Sequence, residues 1–314
     1  MFDIVCVGII VADVIVKPVD TLPGKGLLGL VDSIRLFNGG GAMTTAVNTS
    51  KMGLSSAVAG KIGNDAFGDF CRSVLLANNV NCTGLVVDET VQTSASVVLS
   101  NSDGERTFLH TGGTNNTFCI DDIRWDVIEN AKIVFVTGSF IMDTFDGEQT
   151  RMFLQKCKEM GKLTALDMCW DPKGRWSKLL FPALPYIDFF LPSVDEAQEL
   201  TGSSDLSEIS QQFINAGAKT AIIKLGKDGC YLRESAETKG YVIPPCKNVI
   251  PVDTTGAGDN FCSGFFTAYT NGMNLCDCAR FANAAGAISV MAQGATTGIT
   301  GYAQVFDLMK KNYL

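Results

Sequence analysis

The sequence predicts a three-layer α/β/α protein on a doubly wound, mostly parallel sheet, with a small second β-layer projecting from it. Three observations predict this. Short apolar runs recur along the 314 residues with glycine-containing punctuation between them, as in strands buried on both faces. Helical candidates fall between those runs, and alternation of strand and helix requires parallel strands with helices on both sides. Two stretches interrupt the alternation without reading as helix.

The strand candidates are residues 4–10, 56–59, 133–136, 163–166, 189–191 and 221–223. The helical candidates between them are 42–52, 67–77, 147–160 and 206–216, and from 257 onward the pattern is helical at 257–270, 275–292 and 302–311. The interrupting stretches are 14–37 and 91–111. In the second, residues 94–99 and 106–110 flank an Asp103-Gly104 turn, which reads as a β-hairpin. Together they form the expected β-layer, placed over a substrate site. One main unit spanning 1–314 is expected.

Residues 1–16 are apolar but interrupted by Asp3 and Asp13, with no basic leader. They read as a buried strand rather than a signal peptide or membrane span. Acidic residues outnumber basic ones 33 to 25, for a formal charge of -8, and no Lys/Arg cluster tracks a phosphate backbone, which argues against nucleic acid as a partner. The 11 cysteines are scattered through a chain too large to need disulfide staples, so a reducing, cytoplasmic compartment is expected. Cys276 and Cys278 have no second thiol pair at zinc spacing and read as small core residues. The single histidine, His110, stands at the end of an apparent strand, and no Gly-x-Ser-x-Gly elbow accompanies it. A histidine-based hydrolase is therefore disfavoured.

The most informative segment is Asp253-Thr254-Thr255-Gly256-Ala257-Gly258-Asp259, which runs directly into an amphipathic helix. A helix N-terminus leaves backbone N–H groups unpaired and carries positive potential. Glycines at 256 and 258 clear the approach, so an anion such as a transferring phosphoryl group fits there. Asp259 in the first turn either caps the helix or accepts the proton of an attacking hydroxyl. Spacing alone leaves both open.

This segment resembles the Asp-Thr-x-Gly-Ala-Gly-Asp signature of the ribokinase-like (PfkB) carbohydrate kinases, and the resemblance extends over essentially the whole chain. It implies a ribokinase-like fold, a lid built from 14–37 and 91–111, and ATP-dependent phosphorylation of a hydroxyl of a sugar or sugar derivative. Asp259 would be the base, with Gly256, Ala257 and Gly258 as the anion hole. Gly39-Gly40-Gly41-Ala42-Met43-Thr44 through Lys51-Met52-Gly53 resembles the family's Gly-Gly-x-x-x-Asn signature, with Thr44 in place of Asn. The implied sugar contacts are Asp13, Gly39, Gly40, Thr44, Asp259 and, from the Asp103-Gly104-Glu105-Arg106 lid hairpin, Arg106.

Asp167, with Cys169 at an Asn position, resembles the head of the family's Asp-x-Asn-x-Arg segment, and Ser193-x-x-Glu196 resembles Asn-x-x-Glu, whose glutamate organises hydrated Mg2+. The nucleotide set implied is Ser193, Lys224, Gly226, Gly229, Gly258 and Asn283. The loop at 293–298 resembles one that supplies Gly294 and Gly298, with Asp253 and Thr255, to a potassium ion. A homodimer through the lid is a further expectation. Two alternatives stand beside the sugar kinase: a nucleoside kinase of the same fold, and a catalytically retired sugar-binding regulator, against which the intact Asp259 speaks. An oxidoreductase would want Gly-x-Gly-x-x-Gly after the first strand, where Gly8-Ile9-Ile10-Val11-Ala12-Asp13 stands instead.

Overall fold

The first strand, β1 (Phe2–Gly8), sends Ile4 and Cys6 to one face and Val5 and Val7 to the other, and all four are fully buried. A strand with no polar face needs cover on both sides, which dictates three layers. The computed structural model describes residues 1–102 and 105–314. The Asp103-Gly104 turn therefore lies outside the described residues.

Residues 1–16, expected as one strand, are two. A Cβ at Gly8, whose φ is 136°, would lie 2.0 Å from the Thr137 carbonyl oxygen, so the chain leaves the first sheet where only glycine fits. It then enters β2 (Val11–Lys17) of a second sheet. There follow β3 (Ser33–Gly39), α1 (Gly41–Lys51), β4 (Ser56–Gly63), α2 (Ala66–Ala77), β5 (Asn81–Asp88), β6 (Ala95–Ser100) and β7 (Arg106–Thr111). Two short helices, α3 (Gly113–Thr117) and α4 (Trp125–Glu129), lead to β8 (Ala131–Ser139), α5 (Glu148–Glu159), β9 (Leu163–Met168) and α6 (Trp176–Leu180). Next come β10 (Phe189–Phe190), α7 (Val194–Thr201), α8 (Leu206–Asn215), β11 (Thr220–Lys224), β12 (Cys230–Arg233) and β13 (Tyr241–Ile243). Three helices close the chain: α9 (Ala257–Thr270), α10 (Leu275–Val290) and α11 (Tyr302–Tyr313).

The main sheet has the order β13-β12-β11-β10-β9-β8-β1-β4-β5. Its pairs are parallel from β5 through β11, and β12 and β13 are antiparallel at the edge. One core sets Ile4, Cys6, Ile133 and Phe135 against α1, α9, α10 and α11; the other sets Val5, Val7, Val134 and Val136 against α4, α5, α7 and α8. Phe135 meets Phe266 at a ring separation of 4.8 Å, and burying each such ring contributes roughly 1.5–3 kcal/mol. Local signals place the helix starts: Asp65, Asp205 and Asn274 each accept a hydrogen bond from a first-turn N–H of α2, α8 and α10, each worth about 1 kcal/mol. Because the chain runs from β1 to β4 on one side and returns to β8 on the other, the sheet reverses its winding at β1. Ligand sites of such sheets lie outside the strand C-termini at that crevice.

The second sheet has the order β3-β2-β6-β7. Its register puts Asp13, Phe37, Ser96 and His110 in one row and Val14, Leu36, Val97 and Leu109 in the next. Side chains alternate between faces, so one face carries the polar row and Arg106, and the other is apolar.

Candidate active site

The N-terminus of α9 is built by Gly256, whose φ of 72° is left-handed and whose Cβ would lie 2.5 Å from the Ala295 methyl. Only glycine meets both conditions. The turn leaves the first amides of α9 pointing outward from the C-terminal edge of the main sheet. Lys224, the last residue of β11, sets its ammonium above this turn: a Cβ on Gly258 would lie 3.2 Å from Lys224 Nζ. That ammonium donates to both oxygens of Asp167, at 2.7 and 2.6 Å. The pair is almost wholly buried. Removing one partner from such a pair costs about 3–5 kcal/mol.

Asp259 lies on the far side of the turn, next to the glycine run before α1. A Cβ on Gly41 would lie 2.9 Å from Asp259 Oδ1, and one on Gly39 would lie 2.0 Å from Asp13 Oδ2. The Gly39-Gly40-Gly41 backbone thus passes between two carboxylates. Burial lifts Asp259 to about 7, the charges of Asp167, Glu196 and Asp13 add to the lift, and Lys224 opposes it. Burial likewise raises Asp13 to about 6 against a hydrogen bond from Ser96, with Asp253 contributing repulsion. Three carboxylates, those of Asp167, Glu196 and Asp259, therefore share the Lys224 cation, an excess of negative charge.

Glu196 is one of these carboxylates. It is the third residue of α7 and closes a capping box: Ser193 N donates to Glu196 Oε2 at 2.8 Å and Glu196 N donates to the Ser193 hydroxyl at 3.4 Å. Burial raises its carboxyl, with Lys224 opposing. A bridge between Ser193 and Lys224 sets the two side by side. The chemistry of this buried acidic set fits hydrated Mg2+.

Beyond the turn lies a cavity of about 460 Å³, within the size range of small-molecule sites. Lys224, Gly226, Gly229, Gly258 and Asn283 all line it; Ser193 does not. Asn283 spends its amide on the Pro244 carbonyl at 3.1 Å and on the Tyr313 hydroxyl at 3.3 Å. The remaining wall includes Val249, Phe261, Gly286, Ala287 and Val290, none of which the sequence singled out. Asn283, Gly286, Ala287 and Val290 repeat at helical spacing, so a stripe that reads as core is a cavity wall.

Other expected residues are placed differently. Thr44 is fully buried and its hydroxyl has no hydrogen-bond partner. Arg106, expected at the sugar, donates to Asp253 at 2.7 Å, to Thr254 at 2.6 Å and to the Thr255 hydroxyl. His110 lies within β7 with Nδ1 3.1 Å from the Ser96 hydroxyl. Sequence reading missed Asn48 and Asn260, whose amides join at 2.7 Å and share the Ala295 carbonyl. The available signal was asparagine inside two helices, where it is disfavoured without a task.

A helix start with free amides, an aspartate beside it and a cavity beyond the end of β11 make an arrangement suited to phosphoryl transfer. The chain matches the model of the pfkB family carbohydrate kinases over residues 1–300. It is 30% identical over 313 residues to probable fructokinase-7 of Arabidopsis thaliana, covering 93% of this chain and 90% of that one. It is 26% identical to the ribokinase of Staphylococcus aureus, covering 88% and 89%. Among solved structures, Arabidopsis thaliana ribokinase complexed with ribose and ATP superposes with a TM-score of 0.83 at 26% identity, covering 98% and 99%. An E. coli chain solved with ATP and Mg2+ shares the fold at a TM-score of 0.85 and 19% identity, covering 99% and 100%. The chain belongs to the pfkB family of carbohydrate kinases, which are ATP-dependent phosphotransferases.

Proposed function

We propose that the chain transfers the γ-phosphoryl group of ATP to a hydroxyl of a sugar held between Asp13 and Asp259. The observation that carries this reading is the placement of Asp259. Its carboxylate borders the Gly39-Gly40-Gly41 passage on one side, and the α9 amides open to the cavity on the other. An acceptor hydroxyl in that passage stands within reach of a carboxylate and faces an anion site. Asp259 takes the hydroxyl proton, and the Gly256, Ala257 and Gly258 backbone receives the charge on the phosphoryl oxygens. Lys224 adds a fixed positive charge at that position. Asp13, Gly39 and Gly40 orient the sugar, and Thr44 supports the turn from beneath.

The cavity wall of Lys224, Gly226, Gly229 and Asn283 holds the nucleotide, and Ser193 contributes by fixing Glu196. Mg2+ held through water at Glu196 supplies neutralisation of the nucleotide phosphates. Residues 1–314 act as one kinase unit, with lid segments 14–37 and 91–111. A nucleoside acceptor is the alternative within the same fold.

A screen for ADP release across pentoses, hexoses, sugar phosphates, aldonates and nucleosides identifies the acceptor class. Asp259→Asn is expected to keep ATP affinity while turnover falls by about 10²–10⁴, as for loss of a general base. Near-wild-type turnover in the folded variant would remove Asp259 from the chemistry.

A further inference from the structure

Asp253, Thr255, Gly294 and Gly298, the residues the family resemblance assigns to a potassium ion, come together in the fold, but the Asp253 carboxylate, the Thr255 hydroxyl and the Gly294 and Gly298 carbonyls have other partners. Asp253 Oδ1 accepts from Thr255 N at 2.9 Å and from Arg106 Nη1 at 2.7 Å, and Oδ2 accepts from Gly294 N at 2.9 Å. Arg106 also donates to the Thr255 and Thr254 hydroxyls. In the facing loop Lys51 Nζ donates to the Thr296 carbonyl, Gln304 Nε2 to the Gly298 carbonyl at 3.1 Å, and Thr297 Oγ1 to the Gly294 carbonyl at 3.1 Å. Ala295 O takes both Asn48 and Asn260.

An alkali ion needs several oxygens converging on one point with no cation already among them. It is also repelled by a neighbouring fixed cation. Here two side-chain cations, Arg106 and Lys51, already sit on the two loops. The residues present do not fit a potassium ion.

We propose that Arg106 is the resident cation of the signature turn, a positioning residue that takes the place of a monovalent metal ion and couples lid closure to the anion site. Asp253 staples the turn to the 293–298 loop through Thr255 N and Gly294 N, and a half-buried carboxylate doing so needs a counter-charge. Arg106 supplies it from β7 of the lid sheet, across 147 residues of sequence. A metal ion would stay when the lid opens. A lid-borne guanidinium leaves with it, so the turn before α9 is fully braced only when the lid covers the passage. This rests on the reading of the Gly256-Ala257-Gly258 turn as the phosphoryl site.

The test compares wild type, Arg106→Gln and Arg106→Lys in KCl and in tetramethylammonium chloride at equal ionic strength. Two readouts are used: melting temperature without substrate, and steady-state rates with the best acceptor found by screening. Wild type is expected to show the same Tm in both salts and rates within about twofold. Arg106→Gln is expected to lose kcat by about 10- to 100-fold, the cost of a displaced catalytic frame, with sugar KM nearly unchanged. It also gains a K+-dependent rise in Tm, and guanidinium or the Lys variant restores part of the rate. The proposal is overturned if K+ raises the wild-type Tm or rate several-fold over tetramethylammonium, since an ion site then exists beside Arg106. It is equally overturned if Arg106→Gln raises sugar KM at constant kcat, which makes Arg106 a sugar contact. Melting needs no acceptor, so it decides the cation question even if no sugar tested is phosphorylated.

Discussion

Burial raises the Asp259 carboxyl to about 7, the charges of Asp167, Glu196 and Asp13 add to the lift, and Lys224 opposes it. An unfolded aspartate titrates near 3.8. Between that value and about 7 the native state therefore binds a proton that the unfolded chain has released, and stability falls as pH rises through this window. Asp259→Asn is expected to melt above wild type at pH 8 and level with it near pH 4. The gain should be roughly 2–4 °C for each kcal/mol of repulsion removed. Equal melting at pH 8 would show that the site is not electrostatically frustrated. The same titration governs catalysis with the opposite sense: a base must be ionised, so kcat/KM of wild type rises with pH through about 7.

At the scale of elements, the second sheet contacts the 253–255 turn through Arg106 and the 293–298 loop through Phe37. Its inner face carries Asp13, Ser96, His110 and Arg106, aligned by pairing of β2 with β6 and β6 with β7. Phe37 of β3 also packs on the 293–298 loop, since a Cβ on Gly294 would lie 2.7 Å from its ring. A sheet joined to the main body through such contacts opens at less cost than the buried strands of the main sheet. Sugar binding is therefore expected to slow amide hydrogen exchange in segments 14–37 and 91–111, with a smaller effect from ATP alone, since the proposed nucleotide cavity is lined by Lys224, Gly226, Gly229 and α10. Unchanged exchange in both segments at saturating acceptor would show that they do not respond to substrate.

At the scale of the whole molecule, the outer lid face leaves apolar side chains uncovered among the described residues. Val14, Leu36, Val97 and Leu109 share a row there, with Ile34 beside them. Ile34 is 66% exposed and Leu109 62%, and contiguous apolar surface of this kind marks an interface. A second copy of the chain packed lid to lid would cover it. Sedimentation of wild type is expected to give a dimer, and Ile34→Asp with Leu109→Lys a monomer. A monomeric wild type at micromolar concentration would reject this contact. Among the described residues no helix is long and apolar enough to cross a membrane.

The sequence by itself determined the alternation of strand and helix, the start of α9 at Ala257, the hairpin strands and the family, because each is written in local periodicity, in glycine placement or in a contiguous motif. Of the residues it grouped by motif, Lys224, Gly226, Gly229, Gly258 and Asn283 line one cavity and Ser193 does not. Only the tertiary structure decided which charges meet. Asp167 and Lys224 are 57 residues apart, Asn48 and Asn260 are 212 apart, and Arg106 and Asp253 are 147 apart. No local pattern encodes such pairs, because strand order and lid placement set them. The same holds for the cavity wall of α10. Its apolar stripe satisfies the periodicity of a core helix, and only the packed fold shows that part of it borders a cavity instead of another side chain.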